Sequence, residues 1–312
     1  MDLRNLFNSA EALRFGHWLG RHIPPGVGLR LADSATRALA RRRESALMQT
    51  LQGNFRIVLG PDAPDERVYQ MARAALRHAG MAYFDLYHAL GVGPEPFLAA
   101  VRSTPLTDYY IDEMLRQQRG MVVVTVHMSN FDLAGLAFAY RGLQLNVLAY
   151  ANPTSGYDMQ NKIRLKGGIN LMPIDVSALR RSLAALRAGE LVVTGIDRPD
   201  PYGAGEMLPF FGQPARLPVG HVRLALQTGA PVVVAHCEYR PTDHSYAVHV
   251  SRWLEMERVG SRQEDVLHNA RRVLAVGEEL IRATPEQWLM FYPVWQEELA
   301  GDGKRSAINS EQ

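Results

Sequence analysis

Short β-branched runs alternate with amphipathic segments from residue 121 onward. The runs have the length of buried strands and cover 121–126, 145–150, 169–173, 190–196, 230–237 and 246–250. The segments with helical spacing cover 131–140, 157–166, 177–188, 218–228 and 264–282. This alternation predicts crossover connections, and therefore an α/β fold with a single, mostly parallel sheet flanked by helices.

The first third of the chain has a different pattern. Residues 1–45 and 65–90 have helical periodicity, and no repeat, low-complexity tract or linker separates them from the alternating segments. We therefore expect one domain over 1–312. It would consist of a mostly helical N-terminal layer over 1–115 and an α/β core over 116–300.

Composition and charge narrow the classes of protein. Hydrophobic residues make up 47% of the chain and charged residues 21%, which is enough for a large core. A net charge of +2 gives no field that favours nucleic acid, so no nucleic-acid partner is expected. Residues 1–60 nevertheless hold nine arginines against four acidic residues. That excess suits either an anionic membrane surface or a solvated arginine-rich helix face.

No apolar run reaches the roughly 20 residues that a transmembrane helix needs, and the N-terminus lacks the apolar stretch of a signal peptide. The single cysteine, Cys237, allows no disulfide within the chain and indicates a reducing, cytoplasmic compartment. It follows an apolar run, so we expect a buried small side chain rather than a nucleophile.

The candidate chemistry lies where the strand over 121–126 gives way to the helix over 131–140. His127 follows the strand, and Asp132 falls in the first turn of the helix. From there the carboxylate can reach back to the ring, fix its tautomer and make the other nitrogen a base for a hydroxyl. Two structural interpretations remain open. Ser129 and Asp132 could form a capping box, and His127 could be a histidine at a strand end that makes its hydrogen bonds without a catalytic role.

The segment from His127 to Asp132, HMSNFD, resembles the H-x4-D/E motif of glycerolipid acyltransferases. It is most similar to the branch that holds bacterial lipid A late acyltransferases and phosphatidylinositol mannoside acyltransferases. Further matches occur in family order: LQGNF at 51–55, YFDLY at 83–87, GIDR at 195–198, LPFFGQPA at 208–215, TGAPVV at 228–233 and PEQW at 285–288. The motif alone is weak, but this ordered set is specific.

The resemblance implies transfer of a fatty acyl group from acyl-CoA or acyl carrier protein to a hydroxyl of a membrane glycolipid or lysophospholipid. His127 would be the base and Asp132 its orienter, with no covalent intermediate, no metal and no cofactor. Because substrate and product are both lipids, we expect peripheral attachment to the cytoplasmic face of the cell membrane. The apolar N-terminal residues that would make this contact are Leu6, Phe7, Leu13, Phe15, Trp18 and Leu19. A helix packed on the core is the other interpretation of that segment.

The resemblance also implies substrate contacts beyond the two catalytic residues. It assigns them to Arg164, Asp197, Arg198, Asn130 and Phe211. Arg164 would lie near the acceptor head group, and Asp197 would orient the acceptor or a basic residue. Phe211 would face the acyl chain or the membrane. Alternatively, Arg164 is a surface arginine, Asp197 is a turn residue, and Phe211 anchors its loop in the core.

Other classes lack their signatures. The chain has no G-x-S-x-G elbow, P-loop, G-x-G-x-x-G or H-E-x-x-H motif. A metal hydrolase would need His127, Asp132, Asp197 and His236, which is an unusual ligand set. Pro199 stands where relatives often have a second acidic residue. The acceptor therefore stays open, and an inactive lipid-binding protein or a lipid esterase remains the alternative function.

Overall fold

The computed structural model describes residues 10–150, 155–175, 177–199 and 205–295. Seven strands form one sheet in the order β1-β9-β8-β2-β5-β3-β4. They are β1 (Val101–Ser103), β2 (Met121–Thr125), β3 (Leu145–Ala149), β4 (Asn170–Pro173), β5 (Leu191–Gly195), β8 (Val232–Arg240) and β9 (Ser245–Val250). A separate antiparallel hairpin consists of β6 (Glu206–Phe210) and β7 (Gln213–Leu217).

The sheet is mostly parallel, which confirms the predicted fold class. Strands β8, β2, β5, β3 and β4 run in one direction, while β9 pairs antiparallel with β8 and parallel with β1. Strand β2 lies between β8 and β5. The carboxyl ends of parallel strands share one edge, which is where ligands bind in sheets of this kind.

Eleven α-helices occur in the described ranges. They are α1 (Ala10–His22), α2 (Pro25–Ala40), α3 (Ala46–Leu59), α4 (Asp65–Val92), α5 (Glu95–Ala100), α6 (Pro105–Gln117), α7 (Phe131–Tyr140), α8 (Ser155–Lys166), α9 (Ala178–Arg187), α10 (Gly220–Thr228) and α11 (Arg262–Ala283). A short 3-10 helix follows at Pro285–Gln287. None of the described helices combines the length and the apolar character that crossing a bilayer requires.

Alternate side chains of β2 enter two hydrophobic layers, because successive side chains of a strand point to opposite faces. Val122 and Val124 belong to a cluster that includes α11, whereas Met121 belongs to a second cluster with Leu133 and Leu136 of α7. The sheet is thus covered on both sides, as its parallel strands require.

The N-terminal helices pack on α4 through small residues. A Cβ at Gly20 would lie 2.4 Å from the backbone of Tyr87, and one at Gly28 would lie 2.0 Å from the ring of Phe84. Such spacing allows α1 and α2 to approach α4 closely. The predicted helical N-terminal layer is therefore present, although the short strand β1 lies inside the range assigned to it.

Candidate active site

A tight turn carries His127 from β2 to α7. The helix is capped by Asn130, whose side-chain oxygen accepts a hydrogen bond from the Leu133 N–H at 3.3 Å. Ser129 is not the cap and has a φ of +51°, a left-handed conformation that is uncommon for serine. The capping box considered for Ser129 and Asp132 is therefore absent.

The carboxylate that holds the His127 ring belongs to Asp197. Its Oδ1 lies 2.6 Å from His127 Nδ1, and its Oδ2 accepts the backbone N–H of His127 at 2.8 Å. Strands β2 and β5 are parallel neighbours whose register pairs Thr125 with Gly195, so the two residues after them fall side by side. With Nδ1 donating to the carboxylate, Nε2 of the ring carries the free lone pair.

Asp197 is fully buried, with an exposed fraction of 0%. Its Oδ2 also accepts a hydrogen bond from the indole nitrogen of Trp288 at 2.8 Å. Burial acts to raise the pKa of this carboxyl, but the charge and hydrogen bonds of His127, with the bond from Trp288, hold it below its ordinary value. Asp197 therefore stays ionised and fixes the ring.

The PEQW segment at 285–288 supports the same turn from behind. The Gln287 carbonyl accepts the N–H of Ser129 at 2.7 Å, and the N–H of Leu289 donates to the His127 carbonyl at 2.8 Å. The side-chain amide of Gln287 bonds both the N–H and the carbonyl of Tyr239. The sequence marked this segment only by resemblance, whereas the structure gives it the role of anchoring the His127 turn.

Asp132 does not take the place expected of it. Instead of holding His127, its Oδ1 accepts hydrogen bonds from Arg164 Nε at 2.8 Å and Nη2 at 2.7 Å. Arg164 also donates to Asn161 at 3.2 Å. The prediction that Asp132 orients the ring was wrong, because the neighbouring strand delivers Asp197 to that nitrogen. Asp132 and Arg164 form a nearly buried ion pair that lines the same cavity as His127.

Arg198 lies at this cavity between two aromatic rings. Its guanidinium carbon is 3.6 Å from the ring centre of Tyr292 and 5.0 Å from that of Tyr150. The guanidinium makes no hydrogen bond or ion pair with any residue in the described ranges. An Arg held flat by aromatic faces keeps its N–H edge available for a phosphate or carboxylate.

The two remaining predicted contacts are structural in this arrangement. Asn130 caps α7 and donates to the Ala82 carbonyl at 2.8 Å, while still lining the cavity. Phe211 is 8% exposed, packs on Trp288 and Trp295, and is not among the residues that line the cavity. Contact of Phe211 with an acyl chain is thus corrected to the core-anchor interpretation.

A second histidine supports the turn and was missed from the sequence. His78 of α4 lies with its Nε2 2.9 Å from the Ser129 hydroxyl. Burial lowers the pKa of His78 to about 4, so its ring is neutral at physiological pH. Cys237 is buried, as expected, and burial raises the pKa of its thiol to about 12. A helical residue such as His78, 51 positions upstream, gave no local signal of this contact.

An apolar cavity of about 750 Å³ is lined in part by His127. One part, which we call the sheet branch, is lined by Met121, Val123 and Thr125 of β2, with Gly135 and Phe138 of α7 opposite them. The lining alternates along the strand, so the branch follows the α7 face of the sheet away from His127. Its walls suit a hydrocarbon chain.

Comparisons with known proteins show the family to which this chain belongs. The profile of the bacterial lipid A biosynthesis acyltransferases matches residues 13–297. Phosphatidylinositol mannoside acyltransferases from Mycobacterium tuberculosis (strain CDC 1551 / Oshkosh) and Mycolicibacterium smegmatis are each 25% identical over 205 and 213 residues. The matches cover 64% and 62% of this chain, and 62% of each relative's length.

Among solved structures, the 1-acyl-sn-glycerophosphate acyltransferase PlsC from Thermotoga maritima matches with a TM-score of 0.36 at 15% identity. The match covers 83% of this chain and 98% of that one. The profile match extends over most of the sequence. The chain belongs to the bacterial lipid A biosynthesis acyltransferase family.

Proposed function

We propose that this protein transfers a fatty acyl group from a thioester to a hydroxyl of a membrane lipid, with His127 as the general base. The observation that carries the proposal is the His127–Asp197 pair at an apolar cavity large enough for an acyl chain. Family membership supports the reaction type.

In the proposed reaction, His127 Nε2 takes the proton of the acceptor hydroxyl as its oxygen attacks the thioester carbonyl. The tetrahedral intermediate then collapses, the carbon–sulfur bond breaks, and the leaving thiolate receives the proton from His127. Asp197 fixes the tautomer and stabilises the transient imidazolium. Base assistance of this kind contributes roughly 10²–10⁴-fold.

The sheet branch is proposed to hold the donor's acyl chain. Six residues separate Met121 from His127, a length of about 20 Å at roughly 3.3 Å per strand residue. An extended chain of about sixteen carbons fits that length at roughly 1.25 Å per carbon, from ordinary carbon–carbon bonds. We prefer acyl-CoA over acyl carrier protein as the donor, while both present the same thioester.

The arginines at the cavity are proposed to bind the polar groups of the substrates. Arg198, whose N–H edge has no partner in the described ranges, is proposed to bind a phosphate of the donor or of the acceptor head group. The Asp132–Arg164 pair would contact the hydroxyl-bearing head group beside His127. The acceptor class is a glycolipid or a lysophospholipid.

The membrane contact is proposed to involve α1 and α2, at the cytoplasmic face. Trp18, Val27 and Leu31 are about half exposed, and Arg21 and Arg30 are exposed near them in the chain. Apolar side chains among basic ones favour an anionic bilayer surface. Leu6 and Phe7 lie outside the described residues. Trp18→Ala should weaken binding to anionic vesicles, and binding should fall as salt rises.

The decisive experiment combines thiol release with lipid analysis. Purified protein is given palmitoyl-CoA and single-chain lipids of several head groups, and products are identified by mass spectrometry. Wild type should form an acylated lipid, while His127→Ala should lose roughly 10²–10⁴-fold in rate. Equal transfer by His127→Ala would contradict the proposal. Thiol release without any acylated lipid would favour the lipid esterase alternative.

Ser129 provides the one specific observation for a covalent alternative. Its hydroxyl lies 2.9 Å from His78, and it lines the cavity, as an acyl-enzyme nucleophile would. Direct transfer is preferred because Ser129 is only 1% exposed and is held by the turn. Ser129→Ala should therefore keep turnover within about tenfold, since no covalent step is lost. An acyl adduct on Ser129 in the intact protein's mass would establish the covalent route instead.

A further inference from the structure

The cavity has a second part that the proposed reaction does not yet use. This helix branch lies between α2 and α4, and it is continuous with the sheet branch. On α4 its wall is Leu76, Ala79 and Tyr83, which repeat at three and four residues and so share one helix face. On α2 its wall includes Leu31 and Ala35.

The helix branch is mostly apolar, and among the described side chains of α2 and α4 no buried polar atom lacks a hydrogen-bond partner. Thr36, the polar side chain of α2 along this wall, already donates its hydroxyl to the Ala32 carbonyl at 2.8 Å. A sugar or phosphate would lose its hydration here without compensation. A hydrocarbon chain fits this chemistry, and a head group does not.

Length and access favour a lipid chain that enters from a bilayer. From Leu76 to Tyr83 is seven helical residues, about 11 Å at 1.5 Å per residue. Leu31, which lines the cavity, is 51% exposed. The branch is therefore bordered by an open apolar rim, whereas Met121 of the sheet branch is 3% exposed.

Tyr83 of the helix branch lies close to the Asp132–Arg164 pair. Burial and then the negative charge of Asp132 raise the pKa of its hydroxyl to about 12. Tyr292 also raises the pKa of the Tyr83 hydroxyl, and the positive charge of Arg164 lowers it. A chain in the helix branch would therefore bring the head group attached to it up to the Asp132–Arg164 pair and His127.

We propose that the cavity binds two hydrocarbon chains together, with the helix branch receiving the chain that the acceptor lipid already carries. The donor chain occupies the sheet branch. This inference rests on the proposed function, and it names the acceptor class as a lipid with at least one chain of roughly eight carbons or more, from the branch length and ordinary bond lengths. A water-soluble sugar or a short-chain alcohol would be a poor acceptor.

Photo-crosslinking tests the assignment without requiring turnover. One probe is a twelve-carbon lysophospholipid with a diazirine at the chain end, and the other is a non-hydrolysable acyl-CoA thioether with the same tip. The lysophospholipid should label peptides of α2 and α4, and the thioether should label peptides of α7 and β2. Both should bind at once, so an excess of untagged thioether should leave the lysophospholipid label in place.

Labelling of α7 and β2 by both probes, or loss of the lysophospholipid label under thioether, would overturn the inference. Correct labelling by a protein that transfers no acyl group would instead refute the proposed function alone. The two failures are thus distinct.

Matched variants give a second measurement. Ala35→Trp adds bulk at an exposed α2 position that lines the helix branch, and Ala38→Trp adds the same bulk at an exposed α2 position that does not line the cavity. Gly135→Leu fills the sheet branch. Ala35→Trp should reduce lysophospholipid labelling several-fold and raise KM for long-chain acceptors. Gly135→Leu should shift the donor optimum to shorter chains. A change of donor optimum in Ala35→Trp would show that one chain runs through both branches and would contradict the inference.

Discussion

Trp288 and His127 donate hydrogen bonds to the same carboxylate oxygen. The indole nitrogen and the backbone N–H each lie 2.8 Å from Oδ2 of Asp197, and the other oxygen faces the His127 ring. One buried carboxylate thus joins the base to a tryptophan 91 positions beyond Asp197. The orientation of His127 depends on both.

Substitutions of Asp197 and Asp132 should change different kinetic parameters. Asp197→Asn should lower kcat by roughly 10²–10⁴-fold, because the amide cannot hold the ring tautomer or stabilise the imidazolium. Asp132→Asn should mainly raise KM for the acceptor, because it releases Arg164 and leaves the ring bond intact. Steady-state rates at varied acceptor concentration measure the split. A larger kcat loss in Asp132→Asn would show that Asp132 acts on His127 during turnover.

Removal of the Trp288 hydrogen bond should make the protein more sensitive to acid. The pKa of Asp197 is depressed, so its contribution to stability is present above its ordinary pKa and is lost as pH falls through the folded value. Trp288→Phe raises that folded pKa, and the acid transition should therefore begin at a higher pH. Turnover should fall on the order of tenfold, from the usual strength of a hydrogen bond to a charged group.

Trp295→Phe is the matched control for this change. Its indole donates to the Phe210 carbonyl at 3.1 Å rather than to Asp197. Circular dichroism across pH measures both variants. Equal acid transitions in the two variants would mean that the Trp288 bond does not stabilise the carboxylate.

The missing side chain of Gly195 is expected to leave the space that the His127 ring occupies. A Cβ there would stand 3.0 Å from Cε1 of the ring, which is tighter than ordinary contact. Gly195→Ala should displace the base by a few tenths of an ångström and lower kcat on the order of tenfold. Gly53→Ala is the control, since Gly53 of α3 does not line the cavity and a Cβ there would meet nothing within 4 Å. Unchanged kcat in Gly195→Ala would show that the ring position is not limiting.

Buried His221 should make the protein less stable as the pH is lowered. Burial lowers its pKa to about 3, and neither ring nitrogen has a partner in the described ranges. Because the unfolded chain binds the proton near pH 6.5 and the folded chain does not, stability is lost as pH falls below 6.5. His221→Leu should raise unfolding free energy by about 1–3 kcal/mol at neutral pH and flatten the slope.

Chemical denaturation between pH 5 and 8 tests this prediction. His268→Leu, at a partly exposed position beside Glu257, is the control. A pH slope in His221→Leu as steep as in wild type would assign the acid sensitivity to other groups, such as His78.

The hydrophobic pattern predicted the strands and helices of the core to within a few residues, because buried strands and amphipathic helices have different periods. It missed the hairpin of β6 and β7, where Pro209 and Pro214 argue against a strand inside a sheet but are tolerated in a two-stranded ribbon. The helical spacing of Leu133, Leu136 and Tyr140 predicts that Tyr140 is buried, but it is 43% exposed. It lies at the helix end, where the core no longer covers it.

The sequence singled out His127 and gave Asp197 as a substrate contact, but it did not predict that Asp197 bonds the His127 ring. Every residue of β2 pairs with the residue 70 positions later in β5, so Asp197 lies beside His127. Two other strands, β3 and β4, intervene in the sequence between β2 and β5. Spacing along the chain favoured Asp132 because it is near in sequence. Only the strand order shows which carboxylate is near in space.

The position of Trp288 has a consequence for synthesis of the protein on the ribosome. The His127 turn and Asp197 emerge early, but the side chain that completes the hydrogen bonds of the carboxylate is among the last of the described residues to be made. A nascent chain that stops before Pro285 therefore lacks both the indole and the backbone groups that dock on the turn. Such a truncated product would still present apolar surfaces to lipid, yet its His127 turn would be unsupported, so competence for the proposed reaction is acquired only once Trp288 has been made.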